Sequence, residues 1–186
     1  MKAIPTNYNG VTYKSRLEAK WARFFTLIGI FDFEYENVKI EHNGKEYIPD
    51  FYLYGFYYVG LVAVEVKPCL PSAQYCDYLM DVTQELEADL ILVIGEPNAF
   101  QKGFFIPGKN TLKKTGLAER KMFEGFRFTE CNNCGYFKIV DWGCYTYCDC
   151  VCHQNRDLLR PKPIGLIYDC AENAARTRFD LHNENI

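Results

Sequence analysis

Tyr47-Ile48-Pro49-Asp50-Phe51-Tyr52-Leu53, followed after an aromatic loop by Leu61-Val62-Ala63-Val64-Glu65-Val66-Lys67-Pro68, is the stretch on which the reading of this chain turns. The second half is apolar and β-branched, the composition of a buried strand. Side chains alternate along a strand, so Glu65 and Lys67 share one face and Val66 takes the other. A carboxylate and an ammonium on a buried face must be paired, hydrated or bound to something. A hairpin through Tyr54 to Gly60 brings Asp50, which follows Pro49, alongside. Two carboxylates and a lysine then meet at one sheet margin. Carboxylates so close repel unless a proton or a cation lies between them. A hard divalent cation such as Mg²⁺ takes one or two carboxylates together with phosphate oxygens. The plainer reading is a buried ion pair closing a sheet, since structural pairs gather the same residue types.

Outward from this stretch, the order of elements is legible. Ser15-Arg16-Leu17-Glu18 fits a capping box, with Ser15 as N-cap and Glu18 at the third helical position. Leu17, Trp21, Phe24, Phe25 and Ile28 form an apolar stripe at helical spacing, and Gly29 suits the position just past the end. Segments Phe33 to Glu41 and Glu46 to Leu53 flank His42-Asn43-Gly44-Lys45, and Asn-Gly between alternating segments signals a hairpin. His42, beside the turn, is expected to be exposed. Pro71-Ser72 opens a second helix with Tyr75, Leu79, Val82 and Leu86 on one face, and Gln84 is expected at the surface. Asp89 to Gly95 reads as a buried strand, parallel to the strand that ends at Lys67. The predicted order is helix, three strands, helix, strand.

In this order of elements, Pro49-Asp50 and Glu65-Val66-Lys67 resemble the signature of the PD-(D/E)XK nuclease superfamily. Tyr13-Lys-Ser-Arg-Leu-Glu-Ala-Lys-Trp-Ala22 also resembles the opening helix of many phage and bacterial members. The resemblance covers roughly the first hundred residues. It implies an α/β fold with a restriction-endonuclease-like αβββαβ core, and a Mg²⁺- or Mn²⁺-dependent nuclease acting on DNA rather than RNA. It also implies that Asp50 and Glu65 hold the metal, that Glu18 faces it directly or through water, and that Lys67 orients the attacking water or meets the charge of the transition state. Glu18 can serve as both cap and site residue. The competing reading is a nucleic-acid- or protein-binding module that keeps the fold and cleaves nothing.

The rest of the chain carries a second constellation. Residues 101–128 hold seven basic side chains, Lys102, Lys109, Lys113, Lys114, Arg120, Lys121 and Arg127, against Glu119 and Glu124, in a chain of net charge −3. This basic connector, with strand character around Gly103 to Ile106, is either a phosphate footprint or a solvated loop. Residues 129–160 contain Cys131-Asn-Asn-Cys134-Gly135, then Cys144, Cys148, Cys150, Cys152 and His153. Cys-x-x-Cys-Gly has the shape of a zinc knuckle, because its tight turn lets both thiolates reach one ion. One structural zinc in a small ribbon is expected on Cys131, Cys134, Cys148 and Cys150, with Cys152 or His153 as alternative ligands. Residues 161–186 read as a linker and a last helix, with Asp169 as N-cap, Glu172 at the third position and Phe179 packed on the domain. Cys69 and Cys76 are expected as small buried thiols. No run is long enough to cross a membrane. Met1-Lys-Ala-Ile-Pro5 carries no apolar segment like a secretory signal, so a cytoplasmic location and reduced thiols are expected.

If the cluster is one zinc site, purified protein carries about one zinc per chain, and Cys131→Ser lowers the melting temperature, because metal-binding energy is folding energy. Elemental analysis and thermal denaturation check both. Protein that is fully folded and free of zinc overturns the site.

Overall fold

Two Asn-Gly pairs each dictate a hairpin. Our computed structural model describes residues 3–56, 60–98, 103–115, 122–130, 137–140 and 164–179. Asn9 and Gly10, at φ 50° and 77°, join β1 (Thr6–Tyr8) to β2 (Val11–Tyr13). This turn escaped the sequence reading because its strands are only three residues long. Helix α1 (Arg16–Ile28) begins at Ser15, whose Oγ accepts from the Glu18 backbone N–H at 3.1 Å, and ends at Gly29, at φ 92°. Strand β3 (Phe33–Tyr35) follows. Asn43 and Gly44, at φ 51° and 70°, then join β4 (Ile40–His42) to β5 (Lys45–Tyr47) in a type I′ arrangement. The segment Phe33 to Glu41, expected as one strand, is divided. Glu36 takes φ 48°, the left-handed region, and turns the chain out of the main sheet, so β4 and β5 form a separate ribbon.

The main sheet is built around β6 (Phe51–Phe56) and β7 (Gly60–Lys67), which pair antiparallel with Phe51 opposite Val64. Helix α2 (Ala73–Thr83), capped by Ser72, carries the chain back to β8 (Asp89–Ile94). Strands β7 and β8 are parallel, from Val62 opposite Asp89 to Lys67 opposite Ile94. The stretch read as a connector supplies β9 (Gly103–Ile106), α3 (Lys109–Thr115) and β10 (Phe123–Glu124); β9 and β10 extend the sheet beyond β8. At the opposite side, β3 pairs with the start of β6 and β12 (Phe137–Val140) with its tip, and β11 (Arg127–Glu130) lies outside β12. The last helix, α4 (Ile164–Arg176), starts well before Asp169, which is therefore mid-helix and exposed rather than a cap. Ile167, ahead of Asp169, packs on the same cluster as Cys170, Ala171 and Ala174 at helical spacing, so the apolar stripe begins upstream of the capping signal.

The result is a mixed α/β architecture with a largely β core. Alternation along β7 sends Val62, Val64 and Val66 to one face and Ala63 and Glu65 to the other. On the first face Trp21, Phe24, Phe25 and Ile28 of α1 pack with the three valines, Ile91 and Val93, and α4 leans on α1. Arg23 Nη2 donates to Asn173 Oδ1 at 3.0 Å, and Phe179 meets Tyr8 edge-on at 5.9 Å, as the terminal Phe was expected to do. On the second face Leu79, Val82 and Leu86 cover Ala63, Leu90 and Leu92. Each large side chain so buried contributes roughly 1.5–3 kcal/mol of transfer free energy. Among the described residues no helix is long and apolar enough to cross a membrane.

Gly103 sets the approach of β9 to β8. A Cβ there would lie 2.0 Å from the Leu92 carbonyl oxygen, a backbone atom that cannot give way cheaply. Gly103→Ala therefore costs roughly 2–3 kcal/mol, read as a lower urea midpoint at unchanged slope.

Candidate active site

Glu65 sits near the end of β7 on the face covered by α2 and is 4% exposed. A carboxylate this deep must be hydrogen-bonded. Three elements supply its donors. Lys67 Nζ, two residues along the same strand face, donates to Oε1 at 2.5 Å. Tyr75 OH, from the first turn of α2, donates to the same oxygen at 2.7 Å. Tyr47 OH, from β5, donates to Oε2 at 2.9 Å. Burial, and then the Glu65 charge, push both phenols well above their ordinary pKa, so they remain donors. The Lys67 ammonium also lies 5.3 Å from the Tyr75 ring centroid, within cation–π range.

Asp50 arrives from the other side of the β6–β7 hairpin. Since Phe51 opposes Val64, Asp50 lies beside the end of β7, and the Val66 backbone N–H donates to its Oδ2 at 2.7 Å. Its pKa is pushed up to about 7. Burial is the main cause and the Glu65 charge the next; the Val66 N–H and Lys67 act against them, and Glu18 adds to the rise. The repulsion expected between paired carboxylates is thus present, and near neutrality a proton relieves it.

Glu18 is held by a different set. Ser15 Oγ, which accepts from the Glu18 N–H, donates to Oε1 at 2.6 Å, and Tyr35 OH donates to Oε2 at 2.5 Å. Tyr35 oxygen in turn accepts from the Lys14 backbone N–H at 2.8 Å. Glu18 therefore serves the cap and is close enough to Asp50 to raise its pKa. Each of its oxygens accepts one hydrogen bond, which leaves a lone pair on each for a metal or a water. Lys14 pairs with Glu36 at the surface; that bond is the main cause of its raised pKa, and the Asp50 and Glu18 charges add to it.

The sequence reading overlooked Tyr35, Tyr47 and Tyr75 as site residues. The requirement that a buried carboxylate find donors was available, but which aromatic hydroxyls would reach it was not. His42 was expected to be exposed; it is 7% exposed, its Nδ1 2.7 Å from Glu85 Oε1 and its Nε2 2.8 Å from Asn43 Nδ2. The β4–β5 ribbon lies against the end of α2, and this buries the ring. Gln84 caps the C-terminus of α2, its backbone N–H donating to the Asp81 and Val82 carbonyls. Cys69 is exposed and Cys76 half-buried, so neither is the fully buried thiol expected. Lys109 and Lys113 lie on α3. Lys102, Arg120, Lys121 and the zinc candidates Cys131, Cys134, Cys148, Cys150, Cys152 and His153 lie outside the described residues.

The donor set is one of hard oxygens. Among the described residues no three His, Cys, Asp or Glu side chains are grouped to hold one ion. Asp50 and Glu65 as a pair do suit a cation that takes one or two carboxylates and completes its shell with water and phosphate, as Mg²⁺ does. The bonds among described residues engage only Oδ2 of Asp50. The class this defines is a mixed α/β protein with a carboxylate pair and a lysine gathered at the margin of its central hairpin. No protein-family model matches the chain, and neither a curated protein nor a solved structure matches it.

Because the folded state holds the Asp50 proton more tightly than the unfolded chain, stability is greatest below about pH 4 on this account and is lost as pH rises toward 7. Asp50→Asn keeps an oxygen for the Val66 N–H and removes the charge. Above pH 7 it raises the stability of metal-free protein, because a buried charge beside Glu65 is gone. The gain shrinks to nothing near pH 4. Denaturant titrations of both proteins across pH 4–8 check the sign and the window.

Proposed function

We propose that this protein is a metal-dependent phosphodiesterase, a DNA endonuclease of the PD-(D/E)XK type such as phages and bacteria carry. The observation that carries the reading is the convergence of Asp50, Glu65 and Lys67 at one margin of the β6–β7 hairpin, with Glu18 of the first helix in electrostatic reach of Asp50. The order α1, β3, β6, β7, α2, β8, with β7 and β8 parallel, is in keeping with the restriction-endonuclease-like core.

On this reading Asp50 and Glu65 hold Mg²⁺ or Mn²⁺. The ion supplies a bound water of lowered pKa and neutralises charge on the scissile phosphate. Glu18 acts through water. Lys67 Nζ, freed from Glu65 Oε1, orients the attacking water or meets the extra charge of the transition state. Phosphate contacts come from basic residues of 101–128, and the cysteine-rich segment holds one structural zinc that supports the fold or the grip on nucleic acid.

The test is incubation with plasmid, linear, single-stranded and branched DNA and with RNA, with and without Mg²⁺ or Mn²⁺. Lys67→Ala lowers cleavage by about 10²–10³-fold while leaving nucleic-acid binding largely intact, since contacts elsewhere on the phosphates supply most of the affinity. Glu65→Ala loses cleavage through the metal, and raising Mn²⁺ rescues a weakened metal site but not the missing lysine. If wild type and both variants bind one substrate yet cut none with either ion, the protein is a binding module built on this fold.

A further inference from the structure

The two oxygens of Glu65 are treated differently. Oε1 takes two donors that can move: Lys67 is a long side chain, half-buried, and Tyr75 stands at the open first turn of α2. Oε2 takes one donor that cannot. Tyr47 is 5% exposed and belongs to the β4–β5 ribbon, which among the described residues has no strand pairing with the main sheet. A lone two-stranded hairpin is at best marginal in water, so something must hold it. His42 does so from the neighbouring strand: its Nδ1 is 2.7 Å from Glu85 Oε1, just past α2. Tyr78 of α2 packs against both partners, with ring centroids 5.7 Å from His42 and 6.0 Å from Tyr47. Filling the space would need only a phenylalanine at 47. The hydroxyl, placed on a buried carboxylate, fixes which way that carboxylate faces.

We infer that the β4–β5 ribbon, clamped to α2 through His42 and Glu85, is a positioning element that delivers the Tyr47 hydroxyl to Glu65 Oε2 and presents Oε1 for metal ligation, with Tyr75 and Lys67 as the donors that yield. The inference rests on Glu65 as a metal ligand, the reading proposed above, and goes beyond it by giving opposite roles to two phenols on one carboxylate. Groups that orient a ligating carboxylate typically matter by about 10–100-fold in metal affinity. A donor that occupies the ligating oxygen competes with the ion instead.

The experiment is calorimetric titration of Mn²⁺ into full-length protein without nucleic acid, the fold of each variant being checked by circular dichroism. Wild type binds Mn²⁺ and Glu65→Ala loses that binding. Tyr47→Phe weakens it about 10–100-fold, whereas Tyr75→Phe leaves it equal or tighter. Should Tyr47→Phe not fold, Glu85→Ala, at an exposed residue outside the site, weakens binding in the same direction by releasing His42. If wild type shows no binding that depends on Glu65, the metal reading fails and this inference with it. If binding depends on Glu65 but Tyr47→Phe, or its substitute Glu85→Ala, matches wild type, or if Tyr75→Phe weakens it as much as Tyr47→Phe, the metal reading stands and the positioning role is overturned.

Discussion

A carboxylate buried near the end of a central strand constrains everything near it. Glu65 could not lie 4% exposed on β7 unless donors came to it, and its neighbours are arranged accordingly. Its own strand supplies Lys67, the crossover helix Tyr75, and a separate ribbon Tyr47. Each donor comes from an element whose position is decided by other contacts. Removing one would leave a polar group unsatisfied at a cost of roughly 1–3 kcal/mol or more. The second carboxylate, Asp50, has no comparable set of donors among the described residues, and burial and the Glu65 charge push its pKa up to about 7.

The two faces of the sheet differ in what they bury. On the α1 face, Trp21, Phe24, Phe25, Phe51 and Phe128 interlock through edge-on and tilted ring contacts of about 5.4–6.1 Å, geometries that aromatic pairs favour. That face holds α1 in place and with it Glu18. The α2 face is smaller and carries Tyr47, Tyr75 and Tyr78 beside Glu65. Its rings leave their hydroxyls available, which makes it a place where a charge can be kept.

Much of this was legible from local signals. The Asn43-Gly44 turn, the Ser15 and Ser72 caps, the Gly29 stop and the period-two pattern of β7 each follow from chemistry within a few residues. The signals failed where a distant segment decided the outcome. Asp169 looked like a cap, but α4 begins at Ile164 and already packs Ile167, ahead of Asp169, on the cluster that Cys170, Ala171 and Ala174 join. His42 looked exposed beside its turn, and the docking of the ribbon on α2 buried it.

The sequence by itself determined that Glu65 and Lys67 share a face, because alternation along a strand is a property of the backbone, and that Asp50 returns beside them, because the chain between is a hairpin. It also placed Glu18 at the head of a helix with a capping role. Only the tertiary structure decided which hydroxyls satisfy Glu65, that Glu18 is tied to Tyr35, and that burial and the Glu65 charge push the Asp50 pKa up to about 7. The physical reason is range. Strand alternation, turns and caps are written over two to four neighbouring residues. Desolvation and the pairing of buried charges depend on side chains brought together from β5, β7 and α2, whose meeting no local pattern encodes.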